Sequence, residues 1–225
     1  MGTKPYSWMY SAWSSAALSG LAVPVLTMLF LSQTSAPGAL ASGPIFALGL
    51  MGVGIIAAAT AGQFWIGVGL ALLNAACLIA LAHLLGMPPL LHPFPVAVAM
   101  VIASFSFAAR GALFAKTLSH KGWMMALFVV AGEASVLLIA SSFPGVLPDW
   151  FLALLPAQWA SIAIQTALTG AGAGEAEPVL IALAGTAATT LLAARFWLRR
   201  LPYLLMFTAW LGLSVMVYFS LTPIS

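Results

Sequence analysis

The chain has 225 residues, of which 63% are hydrophobic and 5% are charged, with a formal net charge of +3. A soluble domain has about 25% charged residues because its surface must face water, so the composition excludes a water-soluble globular protein. The few basic residues flank apolar segments without forming a basic stripe interleaved with aromatic residues, which excludes a nucleic-acid-binding protein. We therefore expect one all-α domain, 1–225, embedded in the lipid bilayer as a polytopic bundle.

Seven apolar runs are each about 20 residues long, the length needed to cross a hydrocarbon layer of ~30 Å. In chain order they are 8–32, 43–62, 64–86, 94–116, 123–142, 178–197 and 201–221. Tryptophan and tyrosine residues near the ends of these runs suit the headgroup layer of a membrane. We predict a compact bundle of seven transmembrane helices, the first of which is a retained helix and not a cleaved signal peptide.

An eighth candidate helix covers 149–170. It contains Pro156 near its start and Gln158, Trp159 and Gln165 further along. These residues suit an interfacial or re-entrant helix better than a lipid-facing span. The remaining residues are apolar enough to insert if they pack against other helices, so a bundle of eight spans stays open.

The distribution of basic residues favours seven spans over eight. With seven spans, every basic residue lies on or near one side, whereas eight spans divide them four to three. These residues are Lys4, Arg110, Lys116, Lys121, Arg195, Arg199 and Arg200. We place this side, with the N-terminus, in the cytoplasm, and we expect an integral protein of the bacterial inner (plasma) membrane.

Glu133 lies in the middle of the fifth apolar run. It follows Gly122 by eleven residues, which at 1.5 Å per residue puts it roughly 16 Å deep, near the midplane of the hydrocarbon layer. A charged carboxylate at that depth costs at least ~2.5 kcal/mol on insertion scales. Glu133 is therefore either protonated, or ionised and paired with a partner.

Arg110 is the candidate partner of Glu133. It lies on the preceding helix, roughly 9 Å deep by the same helical rise, and its long side chain can reach toward the bilayer centre. Alternatively, Arg110 extends to the headgroups and leaves Glu133 neutral, and Glu133 then bonds to Asn74, Ser104 or Ser106. We take Glu133, Arg110 and Asn74 as candidate residues for ligand binding or ion coupling.

The sequence carries no catalytic or metal-binding motif. His83 and His92 flank a proline-rich connector, but no HxxxH or HExxH spacing occurs, so we predict no metal site and no catalytic residues. One axial histidine is enough to hold a tetrapyrrole, so His83 or His92 is a candidate axial or interfacial ligand. The methionine and aromatic residues could also line a site for a lipid, a quinone or a carotenoid.

Three classes of function fit these observations. The absence of a catalytic cluster and of a soluble domain favours a non-catalytic subunit or assembly factor of a larger membrane complex, with other membrane subunits as partners. The alternative is a small ion- or proton-coupled transporter or channel that uses Glu133, because intramembrane acids are usually functional. A lipid-modifying enzyme is the third class, and it would use His83, His92 and Asp149.

Overall fold

The computed structural model describes residues 7–33, 43–86, 90, 92–170, 173–196 and 200–221. Of these residues 91% are helical and none forms a strand. The prediction of an all-helical architecture is therefore confirmed. Lys4 and Arg199, two of the basic residues used to orient the bundle, lie outside the described residues.

The helices follow the apolar runs of the sequence closely. In chain order they are α1 (Ser7–Ala17), a π-helical turn (Leu18–Ala22), α2 (Val23–Ser32), α3 (Gly43–Ala61), α4 (Phe64–Leu84), α5 (Pro93–Leu118), a 3-10 turn (Ser119–Lys121), α6 (Gly122–Ser142), α7 (Asp149–Leu152), α8 (Pro156–Thr169), α9 (Ala173–Arg195) and α10 (Arg200–Leu221). Proline stands in the first turn of α2, α5 and α8, where its missing N–H has no helical partner to lose.

Six helical stretches among the described residues are long and apolar enough to cross a membrane. One of them, Pro93–Ser142, contains both α5 and α6. The chain turns between these two helices at Ser119, where φ is 51°, and α5 and α6 then lie side by side. The structure is thus consistent with the predicted helical membrane bundle.

Helix α3 forms the centre of the bundle. Fifteen of its 19 residues are buried, and it packs against α1, α4, α5, α6 and α8. Small residues allow this close packing: Gly52 lies against the backbone of Gly20, and Gly111 of α5 lies against the carbonyl of Ile55, with no room for a β-carbon at either glycine. The helix is apolar on all sides because other helices surround it.

Contacts between helices define two ends of the bundle. Leu113, near the end of α5, clusters with Ala193, near the end of α9, and Lys121 follows α5 in the adjoining turn. We call this the Lys121 end. His92, at the start of α5, lines one cavity together with Ala176, near the start of α9. We call this the His92 end, and α6 runs from the Lys121 end to the His92 end.

Helix α8 is too short to run the full length of the bundle. Its 14 residues span about 21 Å, less than the ~30 Å of a hydrocarbon layer. It begins beside Glu133, halfway along α6, and Gly170, which follows its last turn, lies beside His92. Nine of the 14 residues are buried, and Trp159 is fully enclosed. Such burial does not suit a helix that lies on a membrane surface.

Candidate functional site

Arg110 and Glu133 form an ion pair in the middle of the bundle. The guanidinium Nη2 of Arg110 contacts Oε1 of Glu133, and its Nη1 lies 3.4 Å from Oε2. The contact is therefore two-pronged, which matches the planar fork of arginine to the planar carboxylate. The structure brings together the two residues that depth along adjacent helices had suggested as partners.

The N-terminus of α8 supplies a further donor to Glu133. The backbone N–H of Ala157, the second residue of α8, donates to Oε2 of Glu133 across 3.2 Å. The first N–H groups of a helix have no partner within the helix, and they form the positive end of its dipole. Glu133 thus caps α8 from another helix, and its carboxylate joins α5, α6 and α8.

The ion pair is mostly buried and keeps a small exposed surface. The side chains of Arg110 and Glu133 are 14% and 11% exposed, and the guanidinium carbon of Arg110 lies 5.9 Å from the centre of the Phe107 ring. Helix α6 exposes apolar residues such as Phe128 and Ile139 along much of its surface. Glu133 is therefore a charged residue in the middle of a largely apolar helix.

Arg110 and Glu133 line a cavity of about 550 Å³. We call it the Glu133 cavity. Its walls come from α5, α6, α9, α10 and the turn before α8, and they comprise Arg110, Leu113, Phe114, Met125, Val129, Glu133, Leu154, Leu155, Pro156, Thr186, Thr189, Thr190, Met206, Phe207 and Trp210. The volume lies within the ~300–1,000 Å³ of typical ligand sites. Most of the lining is apolar, and its polar groups lie on α5, α6 and α9.

The threonines of α9 extend the polar wall of the Glu133 cavity. The hydroxyl of Thr186 bonds to the carbonyl of Ala182 at 2.9 Å and lies 3.3 Å from the hydroxyl of Ser106. The hydroxyl of Thr189 donates to the carbonyl of Gly185 at 2.9 Å. A hydroxyl that donates its proton to a carbonyl keeps acceptor capacity, so this wall can accept a hydrogen bond from a ligand.

Asn74 lies elsewhere and does not contact the ion pair. Its side-chain amide donates to the carbonyls of Gly20, at 2.7 Å, and of Gly49, at 3.1 Å. Gly20 belongs to the π-helical turn, whose irregular backbone frees a carbonyl for such a bond. Asn74 is only 7% exposed, and its observed contacts join α4 to the first helix and to α3.

The two serines suggested as partners of Glu133 also bond elsewhere. Ser104 donates to the carbonyl of Met100 at 2.7 Å, and Ser106 bonds to Thr186. Both serines are buried on α5.

The histidines are separate from the ion pair. His92 lines a cavity of about 360 Å³ at the His92 end, beside Thr166 and Gly170, and His83 lies in the last turn of α4. Asp149 lines a different cavity of about 150 Å³, so two of the three residues suggested for a lipid-modifying enzyme, His92 and Asp149, line separate cavities. Within the described parts of the chain, no three His, Cys, Asp or Glu residues are grouped so that they could hold a metal ion.

Sequence reasoning missed two parts of the site. The turn at Leu154–Pro156 and the Ala157 N–H reach Glu133 only through the packing of α8 against the bundle. The threonines of α9 are spaced three and four residues apart, which puts them on one face of a helix, and this signal was available in the sequence.

The chemistry available at the site is proton exchange and ion binding. A carboxylate can take up a proton and lose its charge, whereas a guanidinium stays charged in proteins. No family model, curated protein or solved structure matches this chain.

Proposed function

We propose that the protein is a small integral membrane transporter in which Glu133 is the proton-coupling residue. One observation carries the proposal. A single carboxylate at mid-depth is bound by an arginine and by a helix N-terminus, and it faces a cavity of ligand size. Intramembrane acids at such positions are commonly parts of ion or proton pathways, and helices that begin at mid-depth form the binding sites of many transporters.

The proposed topology has seven spans and one re-entrant segment. The spans are α1–α2 as one helix, α3, α4, α5, α6, α9 and α10, and the re-entrant segment is α7–α8. Support comes from α8, which begins beside Glu133 and ends at the same end of the bundle from which α7 starts. We place the Lys121 end in the cytoplasm, because Lys116, Lys121 and Arg195 lie there, as the positive-inside rule requires.

Coupling follows from the charges around Glu133. When Glu133 is ionised, it neutralises Arg110 and caps α8. When it takes up a proton, it remains a weaker acceptor, and Arg110 is left without its counter-charge. The proton therefore changes the binding properties of the cavity and weakens the connection between α6 and α8. A transporter needs this kind of link between an ion and the binding state of its site.

Flux through proteoliposomes tests the proposal. The purified protein is reconstituted with a pH-sensitive dye inside the vesicles, and proton movement is recorded on addition of organic anions, organic cations and uncharged solutes. We expect one class of solute to drive proton movement with the wild type and with Glu177→Gln, which removes an exposed carboxylate outside the cavity. Glu133→Gln should lose this proton movement while still folding. Unchanged proton movement in Glu133→Gln refutes the proposal.

The accessory-subunit function remains a prediction that no observation here tests. Its test is extraction from native membranes followed by gel filtration. Co-migration with another membrane protein supports that function, and migration as a lone chain in its detergent micelle counts against it. The transporter is preferred because it gives a role to the ion pair, to the short α8 and to the Glu133 cavity.

A further inference from the structure

We infer that Glu133 occupies the place of the substrate's own charged group, and that the substrate is an organic anion with an apolar body. This inference rests on the proposed transport function and adds the class of substrate. The ionised Glu133 carboxylate and a substrate anion would compete for Arg110, so the anion binds when Glu133 has taken up a proton.

The charges at the site favour an anion over a cation. The groups that bind Glu133 are the guanidinium of Arg110 and the Ala157 N–H, and both are donors that prefer a negative partner. Glu133 is the one carboxylate among the described residues that line the Glu133 cavity. If a proton neutralises it, the cavity wall carries one uncompensated positive charge. An anion can bind beside this charge and compensate it.

Other titratable groups do not face Glu133. The described residues of α3 and α8, which pack against α6, include no titratable side chain. The titratable groups of α1 and of the 3-10 turn are Tyr10, His120 and Lys121, and all three side chains are exposed. On α5 the facing group is Arg110, and at the cavity wall formed by α9 and α10 the facing groups are threonines and apolar residues. A pH dependence of binding would therefore report the protonation of Glu133.

The apolar lining of the Glu133 cavity favours a ligand with an apolar body. Met125 of α6 and Phe207 of α10 line the cavity and are 41% and 55% exposed. Both lie in stretches apolar enough to cross a membrane, so the cavity opens toward lipid between α6 and α10. An amphiphile can reach it from the bilayer with its charged group directed at Arg110 and its chain along the apolar wall.

Proton and anion move together under this arrangement. Glu133 takes one proton from water, its charge disappears, and the anion replaces it beside Arg110. The net charge of the site is the same before and after, because one proton and one anion have been added. Transport of the two together is electrically neutral, and an inward proton gradient would drive uptake of the anion.

Equilibrium binding of alkylsulfonates to the protein in lipid nanodiscs tests this inference. A sulfonate stays ionised at every pH used, so any pH dependence comes from the protein. Radiolabelled decanesulfonate is the probe, ethanesulfonate carries the charge without the chain, and decanol carries the chain without the charge. Binding to empty nanodiscs is subtracted.

We expect the affinity for decanesulfonate to rise about tenfold for each unit that the pH falls while Glu133 of the unliganded protein is ionised, and to level off once it is protonated, because one proton is linked to binding. Glu133→Gln should bind tightly and without pH dependence. Arg110→Gln should weaken binding by roughly tenfold to a hundredfold, the range for a lost charge-assisted hydrogen bond. Glu177→Gln should behave as the wild type, decanol binding should not depend on pH, and ethanesulfonate should bind weakly.

Several results would overturn the inference. Any one of three results is enough: wild-type binding that does not depend on pH, a pH dependence that persists in Glu133→Gln, or unchanged affinity in Arg110→Gln. Ethanesulfonate bound as tightly as decanesulfonate would exclude an amphiphile from the bilayer and indicate a small anion from water. If Arg110→Gln does not fold, the double variant Arg110→Gln with Glu133→Gln, which strands no charge, replaces it, and an affinity equal to that of Glu133→Gln then contradicts the role of Arg110.

The transport proposal and this inference can fail separately. Proton-linked sulfonate binding without flux in proteoliposomes would refute transport and leave the anion site intact. Proton-coupled flux of a different solute, without pH-linked sulfonate binding, would support transport and refute the anion site.

Discussion

Breaking the Arg110–Glu133 pair from either side is the perturbation with the clearest energetic signature. Arg110→Leu leaves the carboxylate of Glu133 with one neutral donor, the Ala157 N–H. Removing one partner of a buried ion pair costs about 3–5 kcal/mol. Because the two side chains are 14% and 11% exposed, we expect a loss near the lower end, ~3 kcal/mol.

The double variant should recover much of this loss. In Arg110→Leu with Glu133→Leu neither charge is stranded, and the remaining defect is the Ala157 N–H without its acceptor, which costs about 1–3 kcal/mol. If Glu133→Leu strands Arg110 at a similar cost of ~3 kcal/mol, the two single losses together exceed the loss in the double variant by about 3 kcal/mol or more, which is at the upper limit of the range for residues in contact.

The stability of Arg110→Leu should also fall as the pH rises. The stranded Glu133 can take up a proton in the folded state, whereas the glutamate of the unfolded chain ionises above about pH 4.3. The folded variant then binds more protons than the unfolded chain, so its stability decreases with increasing pH. The difference from the wild type should be larger near pH ~8 than near pH ~5.

The assay is the free energy of unfolding from SDS titration in mixed micelles, measured for the wild type, both single variants and the double variant. Effects that add to within ~0.5 kcal/mol would mean that the pair contributes no interaction energy. A loss in Arg110→Leu that is the same at both pH values would mean that Glu133 is not stranded as a carboxylate. Either result refutes this description of the site.

Further predictions concern the frame around the site. Asn74→Leu should lower the free energy of unfolding by about 1–3 kcal/mol, because two buried carbonyls lose their donor, and an unchanged unfolding curve would contradict the observed bonds. Gly52→Ala should destabilise the bundle, because the added β-carbon would meet the backbone of another helix. Gly69→Ala, whose β-carbon would meet open space, should leave the stability equal or slightly higher. Equal thermal stability of the two variants would refute the close packing of α3. Topology can be tested with single cysteines placed at Asp149 or at Lys121 in a cysteine-free background. The cysteine at Asp149 should react with an impermeant reagent added outside, and the cysteine at Lys121 should react from the cytoplasmic side. Reaction of both from the same side would exclude the proposed topology.

The helical frame was predictable because it depends on composition. A run of about 20 apolar residues indicates a span wherever it occurs, and α3 and α4 match the predicted runs to within two residues at each end. Helix α9 was less predictable at its start, since it begins at Ala173, five residues before the predicted run. The residues from Ala173 to Glu177 are too polar to be counted by hydropathy.

The ion pair was also within reach of sequence reasoning, and the position of α8 was not. The positions of Arg110 and Glu133 on an antiparallel hairpin set their depths by helical rise alone, and the reach of arginine covers the difference. The start of α8 beside Glu133 depends on how α8 packs against α3, α5, α6 and α9, which no local pattern encodes. The role of Asn74 was missed for the same reason, because its acceptors lie on α3 and on an irregular turn of the first helix.

Glu133 should gain a proton when an anion takes its place at Arg110. Infrared difference spectroscopy on the protein in lipid, recorded before and after addition of decanesulfonate, measures this directly through the carbonyl stretch of a protonated carboxyl group. This band should appear in the wild type and in Glu177→Gln and should be missing in Glu133→Gln. Sulfonate binding without the band in the wild type, or with the band retained in Glu133→Gln, would contradict it.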